Sequence, residues 1–188
     1  MREKIDCFLT CDKMEDMAPT INMLRNEKAV QHIHLITTEQ TARMHRAPEG
    51  CTLIVADAPT SSNTILSIAE NVDAEYALIC TKPRPLSIGL SALERLLRVA
   101  SDANAALVYS DHYSIEAGKR VAHPVIDYQE GSIRDDFDFG SLLLIKSDLL
   151  HEYAVQAPEP EYRYAGLYDL RLYLSRKGEI FHLNEYLY

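Results

Sequence analysis

Three clusters in this chain hold residue types that could do chemistry. The first, Lys82-Pro83-Arg84, follows an apolar run that ends at Cys80. An ammonium and a guanidinium this close together suit a phosphate, which Arg grips through paired N–H donors. The same two residues on an inert protein are simply solvated loop cations. The second is Tyr109-Ser110-Asp111-His112-Tyr113, with two metal-competent side chains at the end of a strand-like run. Carboxyl ends of strands are where open α/β sheets bind ligands, although many inert strands carry such residues. The third, Arg134-Asp135-Asp136-Phe137-Asp138-Phe139-Gly140-Ser141, is the densest polar and aromatic stretch. Asp136 or Asp138 could take a proton from an acceptor hydroxyl. Equally, these acids could solvate a loop while Phe137 and Phe139 pack inward. Tyr162, Tyr164 and Tyr168 crowd a nearby approach, and tyrosine faces stack on sugars as readily as they fill cores.

Elements must position these clusters, and the apolar pattern supplies them. Ile5–Leu9, His32–Ile36, Thr52–Ala56, Tyr76–Cys80 and Ala106–Tyr109 are strand-length apolar runs. Helical periods separate them: Met14, Met17, Ile21 and Leu24; a short segment from Glu39 to Arg46; Ile65, Ile68 and Val72 behind a cap at Ser61 or Ser62; and Leu90, Leu93, Leu96, Leu97 and Ala100 from about Ser87. Alternating strands and helices of this kind predict a mostly parallel sheet with helices on both faces. The pattern then changes. Glu116-Ala117-Gly118-Lys119 reads as a hairpin turn, Gly140–Lys146 as a buried strand, and Ser147–Tyr153 and Gly166–Lys177 as helices. Gly178 is expected to stop the last helix in a left-handed conformation, before a strand from Ile180. Ala157-Pro158-Glu159-Pro160-Glu161 reads as a stiff surface loop.

Length and composition bound the function. The 188 residues suit one domain with a single buried core, and 47% hydrophobic with 25% charged residues is ordinary for a globular chain. A formal charge of −9 without a basic stripe argues against nucleic acid or an anionic membrane as partner. The longest apolar runs, such as Leu142–Ile145, are too short to form a transmembrane segment. Cys7, Cys11, Cys51 and Cys80 lack the paired spacing of a zinc site and read as small buried hydrophobes. A reducing, cytoplasmic compartment fits them.

The order of elements and several local stretches resemble the family 2 glycosyltransferases. The helix Leu90-Ser91-Ala92-Leu93-Glu94-Arg95-Leu96-Leu97 matches the family helix after the fourth strand. Tyr168-Asp169-Leu170-Arg171-Leu172-Tyr173-Leu174-Ser175-Arg176-Lys177-Gly178, followed by Ile180-Phe181-His182-Leu183, matches the family's closing helix and strand. The resemblance implies a GT-A-like α/β fold and a nucleotide-sugar or glycan ligand. It places an acid of the closing helix at Asp169, while the open sheet itself, whose strand carboxyl ends form the ligand crevice, sets the expected donor-binding positions at Thr10, Thr37, Lys82 and Asp111 on one shared face. The family's Asp-x-Asp falls on Cys80 and Lys82, and its Glu-Asp pair on Gly166 and Leu167. Neither a thiol nor an ammonium clamps Mg²⁺ or Mn²⁺, which want carboxylate oxygens. No metal is therefore expected, and no cofactor.

Two readings follow. One is a glycosyltransferase domain spanning residues 1–188, with Asp136, Asp138 or Asp169 as its catalytic acids. The other is a non-catalytic module that binds sugar, nucleotide or a second, active transferase domain, because the strand-forming run that closes at Tyr188 suggests the front piece of a longer protein. A sugar-phosphate nucleotidyltransferase shares the sheet but would want a glycine-rich basic loop after Leu9, which this chain lacks.

Overall fold

The computed structural model describes residues 3–131, 134, 136–156 and 161–188. Asp135 and the loop expected over 157–160 lie outside them. Strands β1 (Ile5–Thr10), β2 (Val30–Thr37), β3 (Cys51–Val55) and β4 (Tyr76–Cys80) alternate with helices α1 (Ala18–Arg25), α2 (Glu39–Met44) and α3 (Ser62–Asn71). Helix α4 (Ala92–Asp102) leads to a long strand β5 (Leu107–Glu116), which folds back through the predicted turn into β6 (Lys119–His123). Strand β7 (Leu142–Lys146), helices α5 (Ser147–Val155) and α6 (Gly166–Ser175), and strand β8 (Ile180–Tyr186) complete the chain.

The sheet runs β3-β2-β1-β4-β7-β5-β6, with β8 also paired to β5. Strands β1 to β4 are mutually parallel, and β8 is parallel to β5. Strand β7 is antiparallel to both β4 and β5, so the sheet is mixed in its second half. Both faces of β1 are buried, as an apolar central strand requires. Ile5, Cys7 and Leu9 face α1 and α4, together with Leu24, Leu93 and Leu96. Phe8 faces α3, α5 and α6 with Ile65, Ile68, Leu150, Leu170 and Leu174. The expected α/β architecture with helices on both faces is present.

Three boundaries differ from expectation for physical reasons. Helix α4 begins at Ala92, not near Ser87, and Leu90 is fully exposed rather than on its inner stripe. The segment before this helix is instead fixed against other elements, with the N–H groups of Leu86 and Gly89 held by Thr20 Oγ1 and the Leu187 carbonyl, both at 2.8 Å. Gly178 is not left-handed; α6 closes through Arg176 in a right-handed conformation. The N–H groups of Lys177 and Gly178 both return to the Leu174 carbonyl, at 3.0 and 3.2 Å. Glycine is needed there for space, because a Cβ would stand 3.1 Å from that of Ala106. Finally, β5 runs well past Tyr109, which carries Asp111 and His112 into the sheet itself.

Candidate functional site

A cavity of about 700 Å³ opens beyond the carboxyl end of β4, against β5, β6 and the C-terminal residues. Lys82 and Arg84 enter it from the loop after β4, and Arg120 from β6. No Asp or Glu is among its described lining residues. In a chain of net charge −9, a cavity whose charged side chains are Lys82, Arg84 and Arg120 is a local reversal of sign. The Arg120 guanidinium stands 5.0 Å from the centre of the Tyr113 ring, and Tyr113 stacks on Tyr186 at 4.7 Å. Both rings are more than a third exposed, so the cavity joins cations to an aromatic platform.

The floor is rigid. His112 is buried and stacks on Tyr188 with ring centres 4.9 Å apart and planes 6° from parallel. Burial pushes its pKa down, with the His123 ring beside it adding to the effect. His112 Nδ1 has no partner among the described residues. The hydroxyl of Tyr188 accepts the backbone N–H of Ser141 at 2.6 Å, which fixes the C-terminal ring under the loop before β7.

The expected donor-binding residues divide. Lys82 is exposed and lines the cavity. Thr10 and Thr37 sit at the carboxyl ends of β1 and β2, but both are buried and their hydroxyls donate at 2.8 Å to the carbonyls of Cys80 and Cys11. Asp111 lies near the same edge yet turns to the other sheet face. There it accepts from the N–H of Val125 at 2.8 Å and approaches His182 Nε2 at 3.0 Å. The His182 side chain is buried, and its other nitrogen meets Asp127 at 2.6 Å. That carboxylate–imidazole–carboxylate chain was missed because its members lie on separate segments.

The acids expected to be catalytic also divide. Asp136 and Asp138 line a second cavity of about 700 Å³ with Asp127 and Arg134. Asp138 accepts from the Gly140 N–H at 2.8 Å and pairs with His123 at 2.9 Å. Burial opposes its charge, but these two bonds outweigh it and hold the carboxyl below its usual range. Asp136 pairs with Arg134 at 3.0 Å on the surface. Asp169 lies in the first turn of α6 and accepts the Tyr153 hydroxyl at 2.8 Å.

The end of β4, onto which the resemblance maps an Asp-x-Asp, does not fit a hard cation. At the end of β4 the Cys80 thiol donates to the Lys82 carbonyl at 3.4 Å, and burial raises its pKa. The expectation that the chain offers nothing to a metal is nevertheless corrected. Asp6, His32 and His34 each place a donor atom within 4.8 Å of the other two, at the opposite end of the same strands. Sequence reading took these as plain strand residues. The signal was present: His-x-His puts both rings on one face of a strand, and Asp6 lies on the neighbouring one.

No family model matches the chain, and no curated protein matches it by sequence. Solved structures do match it by fold. A 4-diphosphocytidyl-2C-methyl-D-erythritol synthase from Anaerococcus prevotii superposes with a TM-score of 0.58 at 10% identity, over 97% of this chain and 87% of that one. A CMP:2-keto-3-deoxy-manno-octonic acid synthetase complexed with CTP gives 0.52 at 12%, over 98% and 91%. TarS of S. aureus, residues 1–349, gives 0.66 at 11%, over 98% of this chain and 59% of that one. At such identities the likeness is one of fold: a GT-A-like sheet common to this chain, the synthase, the synthetase and TarS. Among the described residues, no helix is long and apolar enough to cross a membrane.

Proposed function

We propose that this domain is a glycosyltransferase-like module that binds a nucleotide-diphospho-sugar in the basic cavity beyond β4. The observation that carries this reading is the lining itself: Lys82, Arg84 and Arg120, with no Asp or Glu among the described lining residues, beside the exposed Tyr113–Tyr186 stack. A diphosphate needs paired cationic donors, and a base or sugar ring needs a flat partner. Two of the fold neighbours are, by name, enzymes of cytidine-linked compounds, which supports trying cytidine and uridine nucleotides first. Lys82 is the donor-binding residue that the sequence and the cavity have in common. Thr10, Thr37 and Asp111 act at one remove, holding the strand ends in place.

Binding is favoured over transfer in this segment. A base for an acceptor hydroxyl must lie within hydrogen-bond reach of the reacting proton. None of Asp111, Asp136, Asp138 and Asp169 is among the described residues that line the basic cavity. The reading in which the module serves a separate, active transferase domain follows from the same fact. Calorimetric titration of UDP, CDP and their hexose conjugates into the wild type and Lys82→Ala tests the proposal. Saturable binding weakened about tenfold by the substitution, or about 1.4 kcal/mol, is expected. Binding equal in both proteins would place the ligand elsewhere, and sugar transfer by the isolated domain would reverse the order of the two readings.

A further inference from the structure

At the amino-terminal end of the sheet, far along the strands from the basic cavity, three side chains from two neighbouring strands converge. Asp6 is fully buried, and its orientation is fixed by the backbone. Its Oδ2 accepts the N–H groups of Asp73 and Ala74 at 2.7 and 2.9 Å, and its Oδ1 accepts that of His32 at 3.0 Å. His32 Nδ1 stands 3.1 Å from the same Oδ1. Two ligands about 2.1 Å from one ion lie roughly 3.0 Å apart at a right angle and roughly 3.4 Å apart at the tetrahedral angle. The pair is therefore already at coordination spacing.

His34 supplies the third donor and the independent observation. It is 94% buried, since only 6% of it is exposed, and its Nε2 has no hydrogen-bond partner among the described residues. An imidazole nitrogen left bare in a protein interior is costly unless something meets it. Its ring cannot turn to find another partner. It stacks on Phe8 with centres 4.6 Å apart and planes 9° from parallel, and Nδ1 is held at 2.5 Å by Thr52 Oγ1. The Thr52 hydroxyl can either donate to or accept from Nδ1; in the tautomer in which Nδ1–H donates, Nε2 presents its lone pair, the arrangement by which outer groups fix a metal-binding histidine.

We propose that Asp6 Oδ1, His32 Nδ1 and His34 Nε2 form a binding site for a divalent first-row transition ion, with Zn²⁺ the physiological choice. Two imidazoles and one carboxylate suit Zn²⁺, Co²⁺ or Ni²⁺, whereas Mg²⁺ and Ca²⁺ prefer oxygen alone. The His32 side chain is half exposed, so one coordination position faces water. The ion ties β1 to β2 and, through Asp6, to the 73–74 turn before β4, so its binding stabilises the fold.

The test is titration of the untagged protein with Co²⁺, followed by its visible d–d absorption and by thermal melting. One equivalent should bind, produce the band of a four- or five-coordinate ion, and raise the melting temperature. His32→Ala, at a half-exposed position that folding tolerates, should abolish the band. Thr52→Val should weaken affinity roughly tenfold through the tautomer of His34. His123→Ala, on β6 at the other edge of the sheet, should leave the Co²⁺ band and the Co²⁺ affinity unchanged. An absent band, unchanged binding in His32→Ala, or loss of binding in His123→Ala would each overturn the site. Because His32 and Thr52 do not line the basic cavity, nucleotide binding by their variants reads out separately.

Discussion

The hydroxyl of Thr10 donates to the carbonyl oxygen of Cys80 at 2.8 Å, which ties the carboxyl ends of β1 and β4 together. In an open α/β sheet these ends border the ligand crevice. Here one wall of it is closed by a bond of the protein to itself. Thr10→Val keeps the shape but removes the donor. It should cost about 1 kcal/mol in urea denaturation and leave nucleotide affinity unchanged. A loss of binding larger than the loss of stability would make Thr10 a direct ligand contact.

The cavity beyond β4 should respond to salt. Ligand attraction by Lys82, Arg84 and Arg120 at an exposed site is screened over about 8 Å at 0.15 M ionic strength. Raising salt from low to physiological strength should weaken nucleotide binding in the wild type and do so less in Arg120→Ala. That variant also strips the cation from the Tyr113 face. Salt-insensitive binding would mean that the rings, not the charges, carry affinity.

Burial holds the pKa of His112 below its ordinary value, aided by the neighbouring His123. The unfolded chain therefore takes up a proton at this residue before the folded one does. Stability from neutral His112 is complete above the ordinary histidine pKa of about 6.5 and declines as pH falls below it. Melting between pH 7.5 and about 5.5 in the presence of EDTA should show a shallower decline for His112→Phe than for the wild type. Parallel curves would mean that another group dominates this range.

Gly178 serves close approach, not backbone handedness, so its replacement should be rescued from across the contact. Gly178→Ala should destabilise by about 1–3 kcal/mol, and the double variant with Ala106→Gly should lose less than the two single changes summed. Additive losses would argue that the Gly178 backbone, not its 3.1 Å approach to Ala106, sets the requirement.

Ser61 accepts the N–H of Thr64 at 3.1 Å and caps α3. Ser61→Ala should cost about 1 kcal/mol, measured by chemical denaturation, while Ser61→Asp should retain most of the stability. A neutral effect of the alanine change would show that the Tyr162 carbonyl, which holds the next N–H at 2.8 Å, suffices to fix the helix start.

What the sequence determined by itself is the local and periodic part. Ile5–Leu9 and Tyr76–Cys80 are strands because their apolar runs are short and buried on both faces, and Ser61 caps a helix because its oxygen answers an orphan N–H three residues on. The alternation of these units carried the architecture, and Lys82 was visible as a cation at a strand end. Tertiary structure alone decided where the remaining side chains turned. Thr10 and Thr37 read as ligand-facing until the carbonyls of Cys80 and Cys11, distant in sequence, took their hydroxyls. Gly166 must be glycine because a Cβ there would collide with the backbone of Ser61 and Ser62, which approach it only in the folded chain. Arg120 and Tyr113 reach the cavity only through the β5–β6 hairpin, and Asp6 meets His32 and His34 only through parallel pairing of β1 with β2. Periodicity reports which face of an element is buried; it carries no information about which distant residue waits on that face.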